Sequence, residues 1–163
     1  MAITLSGSGQ VPVQVVQGTL NSIFSTSAGA ASPVATGLTA TITPTSSTSK
    51  ILVTCYFGVL SANSASTFGI FLMRGATKIC FGNAYGSASQ GAIGGGQPGG
   101  FQGMPGSIVF LDSPATTSAT TYSISFGGNG SATVYMNSDG RLAATANNLT
   151  VTPSTITLME ISQ

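Results

Sequence analysis

Apolar and polar residues alternate along much of the chain with a period of two, and no window of a dozen residues keeps apolar positions at i, i+3, i+4 and i+7. The pattern predicts strands and no helix of useful length. Leu38–Thr43 is the plainest case: Leu38, Ala40 and Ile42 face inward, three threonines face outward, and Pro44 stops the pairing. Lys50–Leu60 is apolar on both parities, as expected of a strand covered on both sides or facing a subunit partner. Its odd positions, Ile51, Val53, Cys55, Phe57 and Val59, carry no polar residue and are the expected core face. Leu52, Tyr56 and Leu60 then point the other way and are the expected subunit interface.

Further strands are predicted at Phe68–Met73 and Lys78–Phe81, joined by a tight turn at Arg74-Gly75-Ala76-Thr77 whose two flanking cations mark a solvated tip. Ser107–Leu111, Tyr122–Phe126, Ala132–Met136 and Thr155–Ile161 complete the set, separated by Pro-, Gly- and Asn-bearing turns. Residues 86–106 show no strand pattern and are read as one long outward loop, dispensable for folding, with Arg74, Gly95 and Phe101 as its exposed group. Eight or so short strands with frequent turns predict an all-β fold, an antiparallel β-sandwich or jelly roll. The expected division is an extended N-terminal attachment arm over residues 1–16 and a β-sandwich knob over 17–163. In the arm, Val11, Val13, Val15 and Val16 are available to add a strand to a neighbour's sheet edge.

Composition narrows the chemistry. Of 163 residues only 4 are Lys or Arg and 3 are Asp or Glu, giving a net charge of +1. Nucleic-acid binding, which needs several cations to neutralise phosphates, is not expected. With no His, the commonest general base and the commonest nitrogen ligand for metals are missing, and no cofactor or metal is expected. Ser, Thr and Gly interrupt every apolar stretch well short of the ~18 residues a membrane helix needs, so no membrane partner is expected. The N-terminal residues carry no basic segment followed by an apolar run, so no secretory signal is expected. Cys55 and Cys80 fit no metal spacing and are read as two reduced thiols, with a bridge between neighbouring strands as the alternative.

Enzyme templates find little to hold. A glycosidase-like pair would have to come from Asp112, Asp139 and Glu160, and the two aspartates stand at ordinary turn positions before Ser113-Pro114 and Gly140. The glycine runs at 94–96 and 99–100 are followed by neither Lys-Ser/Thr nor a helix, unlike a phosphate loop. No enzymatic activity is expected. What remains is the surface: Ser and Thr together number 45, so outward strand positions are mostly hydroxyls. Such a surface is indifferent to salt and pH, and with so little net charge its apolar strand faces favour burial in a symmetric oligomer.

The segment Val34–Val53, with Gly37-Leu38, Ile42-Thr43-Pro44, a Ser/Thr run and Ser49-Lys50-Ile51-Leu52-Val53, resembles a motif of bacteriophage and cyanophage tail-fibre-type virion structural proteins. The similarity continues through Gly69–Gly75, Phe110–Tyr122 and Ser154–Ile161. The resemblance implies a virion structural protein with a compact β-sandwich head of a kind that commonly trimerises. A short arm before a knob, rather than a long shaft, suits a capsid decoration or cement protein on the virion exterior. Its partners would be itself, as a homotrimer, and other capsid or tail proteins. The alternative is a tail-fibre tip that recognises host cell-surface glycan.

Overall fold

The computed structural model describes residues 12–97, 103–140 and 150–162. Among them lie eleven strands: β1 (Pro12–Leu20), β2 (Phe24–Thr26), β3 (Val34–Ile42), β4 (Lys50–Ala62), β5 (Ser66–Arg74), β6 (Thr77–Ile79), β7 (Ile93–Gln97), β8 (Met104–Asp112), β9 (Thr120–Gly128), β10 (Val134–Met136) and β11 (Ser154–Ile161). The fold is all-β, and every pairing between these strands is antiparallel.

The strands form two sheets. In the larger, the 13-residue β4 pairs β11 along Lys50–Phe57 and β10 along Leu60–Ala62, while β8 takes its other edge; β1 lies outside β11 and β2 outside β10. The smaller runs β3-β9-β5, with β6 and β7 both pairing β5. One core draws on both sheets: Ile51, Val53, Cys55, Phe57, Ile156 and Leu158 from the larger, Leu38, Ile70, Leu72, Tyr122, Ile124 and Phe126 from the smaller. The alternating burial of β3 and β11 is the period-two pattern of the sequence made physical. At one side the sheets come together where β1 meets β3. A Cβ at Gly18 would fall 1.9 Å from the carbonyl oxygen of Thr39, so only glycine permits that approach.

Three expectations need correction. β4 does not keep its parity: its pairing with β11 ends at Phe57, its register with β8 shifts between Phe57 and Leu60, and Phe57 and Gly58 are both buried. Gly58 lies tight beneath Thr152, where a Cβ would stand 2.3 Å from Oγ1. Beyond this irregularity Leu60 and Ala62 turn into the core and Val59 turns out of it, so Leu60 is not available to a subunit partner.

Residues 86–106 are not one structureless loop. Ile93–Gln97 pairs with β5 in full register, because ladder hydrogen bonds use backbone groups that glycine supplies as well as any residue. Gly95 is part of this strand, paired with Phe68, whose ring fills the place its side chain would take. Likewise, residues 12–16 of the expected arm belong to β1, where Pro12, Gln14, Val15 and Val16 pair with the chain's own β11. Val11 and Phe101 lie outside the described residues.

Candidate functional site

The outward face of the larger sheet is the surface that departs most from the hydroxyl-rich pattern. Antiparallel register sets its rows, because directly opposed residues point to the same side. One row runs Leu111, Leu52, Met159, Val15 across β8, β4, β11 and β1, apolar at every position. The next runs Val109, Thr54, Thr157, Gln17, and the third Ser107, Tyr56, Thr155, Thr19. Val109 is 69% exposed, Val15 55%, Leu111 52% and Tyr56 50%, values at which apolar side chains meet water over most of their reach. No residue in these rows is charged. Gln17 Nε2 donates to Thr157 Oγ1 across two of these strands at 2.9 Å, and Lys50, at the margin, donates to Ser113 Oγ at 2.7 Å. Beside Tyr56 a shallow depression of about 200 Å³ is lined by Pro105, Gly106 and Ser107.

Leu52 and Tyr56, expected to share an interface, do share this face, and the structure adds Val15, Val109, Leu111 and Met159. Val16 turns the other way and packs on the core. Val13 is in β1 by its backbone. Arg74 and Gly95 are not one exposed group: Gly95 is level with Phe68, six residues along β5 from Arg74 or about 20 Å.

No protein-family model matches the chain, and no curated protein is significantly similar to it.

Arg74, Asp112 and Glu160 fasten separate elements to one another. Arg74 is not a solvated tip: its Nη1 donates to both oxygens of Asp112, at 2.9 and 2.8 Å, and to the Ser113 carbonyl at 3.3 Å. The Tyr122 hydroxyl donates to Asp112 Oδ2 at 2.6 Å. Burial, then that hydrogen bond, pushes the Tyr122 phenol far above its ordinary range. The cluster ties the end of β8 in one sheet to β5 and β9 in the other.

Glu160, fully buried, has no ion-pair partner among the described residues. It accepts from Gln14 Nε2, Thr45 N and Thr45 Oγ1, each at 2.7 Å. Burial pushes its carboxyl up. Hydrogen bonds from Gln14 and Thr45, with the nearby Ser49 hydroxyl, which has no well-formed partner, outweigh that and bring it down to about 2. Gln14 Nε2 also reaches Thr43 O at 2.7 Å, so the carboxylate fastens β1 and the β3–β4 connection to β11.

These placements bear on chemistry. Asp112 and Glu160 both stand opposite Ile51, on either side of β4, each committed to its own buried partners. Asp139 follows β10 and lies near Val59, eight residues along β4 from Ile51 or about 26 Å. The three carboxylates do not converge. Cys55 is buried, and desolvation first, then Cys80, pushes its thiol up to about 12; desolvation raises Cys80 as well. Neither is an activated thiolate. Among the described residues no group of three or more His, Cys, Asp or Glu side chains could hold a metal.

Asn137 is the polar residue that sequence reading missed most completely. Fully buried with φ of 70°, it donates from Nδ2 to the carbonyls of Leu20 and Ser22 and accepts from Ser154 Oγ at 2.6 Å. Its Asn-Ser-Asp-Gly context reads only as a turn; the partners come from β1, the β1–β2 connection and β11, far away in sequence.

Proposed function

We propose that this protein is a non-enzymatic structural component of a bacteriophage particle exterior, a homotrimer that works as a capsid decoration or cement protein. Its head is a β-sandwich of the jelly-roll kind. The strand orders β1-β11-β4-β8 and β3-β9-β5-β6 around a shared core support that reading.

The observation that carries the proposal is the outward row Leu111, Leu52, Met159 and Val15, with Val109 and Tyr56 beside it. A face of this kind on a chain with almost no net charge has no repulsion to keep copies apart, and burying it desolvates no ion. Its hydroxyls can bond across an interface or to trapped water. The resemblance to trimerising virion heads supplies the expected number of copies. Among the described residues β1 pairs only with β11, which leaves its outer edge to accept a strand from a neighbouring shell protein.

The mechanism is mass action. A knob that binds only the assembled shell stabilises that state by the free energy of its own binding, and nothing is turned over. Immuno-gold labelling of intact particles tests the assignment: label over the shell supports cement, label at a fibre tip supports the receptor-binding alternative, and particles without label contradict both.

A further inference from the structure

We propose that the free edge of β7 takes residues 2–6 of a second copy as an added strand, a contact that rests on the self-association argued above and deepens it. Among the described residues β7 pairs only with β5. Two hydrogen bonds fix which of its backbone groups stay free. Gly75 N donates to Thr121 O at 2.8 Å, continuing the β5–β9 register, and bonded positions alternate along an antiparallel ladder, so the odd residues of β5 bond β9. The even ones face β7, in keeping with the bond from Ala92 N to Ile70 O at 2.8 Å. Through the β5–β7 register Ile93, Gly95 and Gln97 bond β5, and Gly94 and Gly96 turn their N–H and C=O groups to the open edge.

Both glycines are exposed. A flat edge of this kind pairs with another strand unless it is guarded. Pro105 stands in β8 and Lys78 in β6, whereas Ile-Gly-Gly-Gly-Gln of β7 has neither proline nor charge. On the inner side Ile93 packs against the core yet is only half-buried, and its Cδ1 lies 3.4 Å from where a Cβ on Gly106 of β8 would be. Apolar side chains on an added strand would complete the cover there.

The chain itself carries a matching segment. Ala2-Ile3-Thr4-Leu5-Ser6 has the same 5-residue length as β7, with Ile3 and Leu5 on one face and Thr4 on the other, and Gly7-Ser8-Gly9 follows as a pliant spacer. Ile3 and Leu5 would turn toward Ile93, and Thr4 would stand outside with Gly94 and Gly96. The segment cannot reach its own β7. Pro12 is level with Lys50, whereas Ile93 lies by Gly106, which is level with Phe57: seven residues along and three strands across, or about 27 Å before the step between sheets. The six residues from Ser6 to Pro12 span at most about 22 Å. The taker is therefore another copy. Giving and taking surfaces differ, so the contact is head-to-tail, the kind from which a closed ring of three is built. Bonds to two glycines hold too little alone, so the strand is laid down between copies that the larger sheet already joins.

The test mixes two full-length variants, Thr4→Cys and Gly96→Cys, with oxidised glutathione and reads disulfide-linked dimer on a non-reducing gel, with Thr4→Cys and Thr41→Cys as the control pair. The expected result is at least about tenfold more linked dimer in the test pair than in the control. It should fall by at least about tenfold when the taker also carries Gly94→Pro, which removes one outward N–H, spares the β5 ladder and puts its Cβ where nothing lies within 4 Å. If that variant fails to fold, Leu5→Asp in the giver decides in its place. A parent that sediments as a trimer without the link overturns strand donation and leaves the larger-sheet interface standing; a monomer without the link overturns both. A link that survives the blocking change also overturns the proposal.

Discussion

The two sheets share a core and differ on their outer sides. Across the larger, apolar side chains stand in register over four strands, half or more exposed at Val15, Tyr56, Val109 and Leu111. Across the smaller, Thr39 and Thr41 of β3 and Thr121 and Ser123 of β9 face outward, with Thr41 and Thr121 hydroxyls 2.8 Å apart; β3 exposes Val34 and Ala35 at its start, and the outward residues of β5 and β7 include Gly69 and Gly94. Both sides cover the same hydrophobic layer, so the core does not require the difference. On the proposed reading, one side loses its water against another protein surface and the other keeps it.

The largest expected effect comes from placing a charge on the apolar side. Leu52→Asp puts an unpaired carboxylate into every copy of the proposed interface and should weaken self-association by at least about a thousandfold, or about 4 kcal/mol, with the monomer still folded. Thr41→Asp, on the hydroxyl side, should leave the assembled mass unchanged. Analytical ultracentrifugation of the two variants reads both outcomes, and equal behaviour would remove the distinction between the faces.

Leu60 sharpens the comparison from within. Because it lies in the core and not beside Leu52 and Tyr56, Leu60→Ala should cost about 2–4 kcal/mol of folding stability in a denaturant titration. Leu52→Ala should cost much less in the same titration and should show its effect in assembly.

A smaller effect is set by pH. Glu160 has its pKa lowered from 4.5 to about 2 in the folded chain, so the stability it contributes is fully present above the ordinary carboxylate range. It is lost as pH falls through 4.5 toward 2, where the folded carboxylate also takes up its proton. Glu160→Gln should be less stable than the parent at pH 7 and lose stability less steeply on acidification, as measured by thermal melts across that range. A parallel loss in both proteins would show that the carboxylate is not what fastens β1 to β11.

Much of this was legible in the residues. The alternation of Leu38, Ala40 and Ile42 and the double-sided apolarity of Lys50–Leu60 marked one edge strand and one central strand, with Ile51, Val53, Cys55 and Phe57 on the core face and Leu52 and Tyr56 together outside it. Leu60 was misread because parity holds only while a ladder is regular, and the burial of Gly58 beneath Thr152 is a long-range event. β7 was missed because a Gly-Gly-Gly strand has no side-chain signature; Phe68 of the paired strand supplies the bulk. Arg74 looked solvated because its partner Asp112 is 38 residues away, and Asn137 looked like a turn for the same reason. In each case a local pattern was overruled by a partner distant in sequence.

The central claim is that the outer side of the larger sheet joins copies of this chain. Sedimentation equilibrium of the unmodified protein at micromolar concentration addresses it directly. The account predicts a species of three times the 16.1 kDa chain mass that dissociates on Leu52→Asp; a stable, folded monomer at that concentration would contradict it.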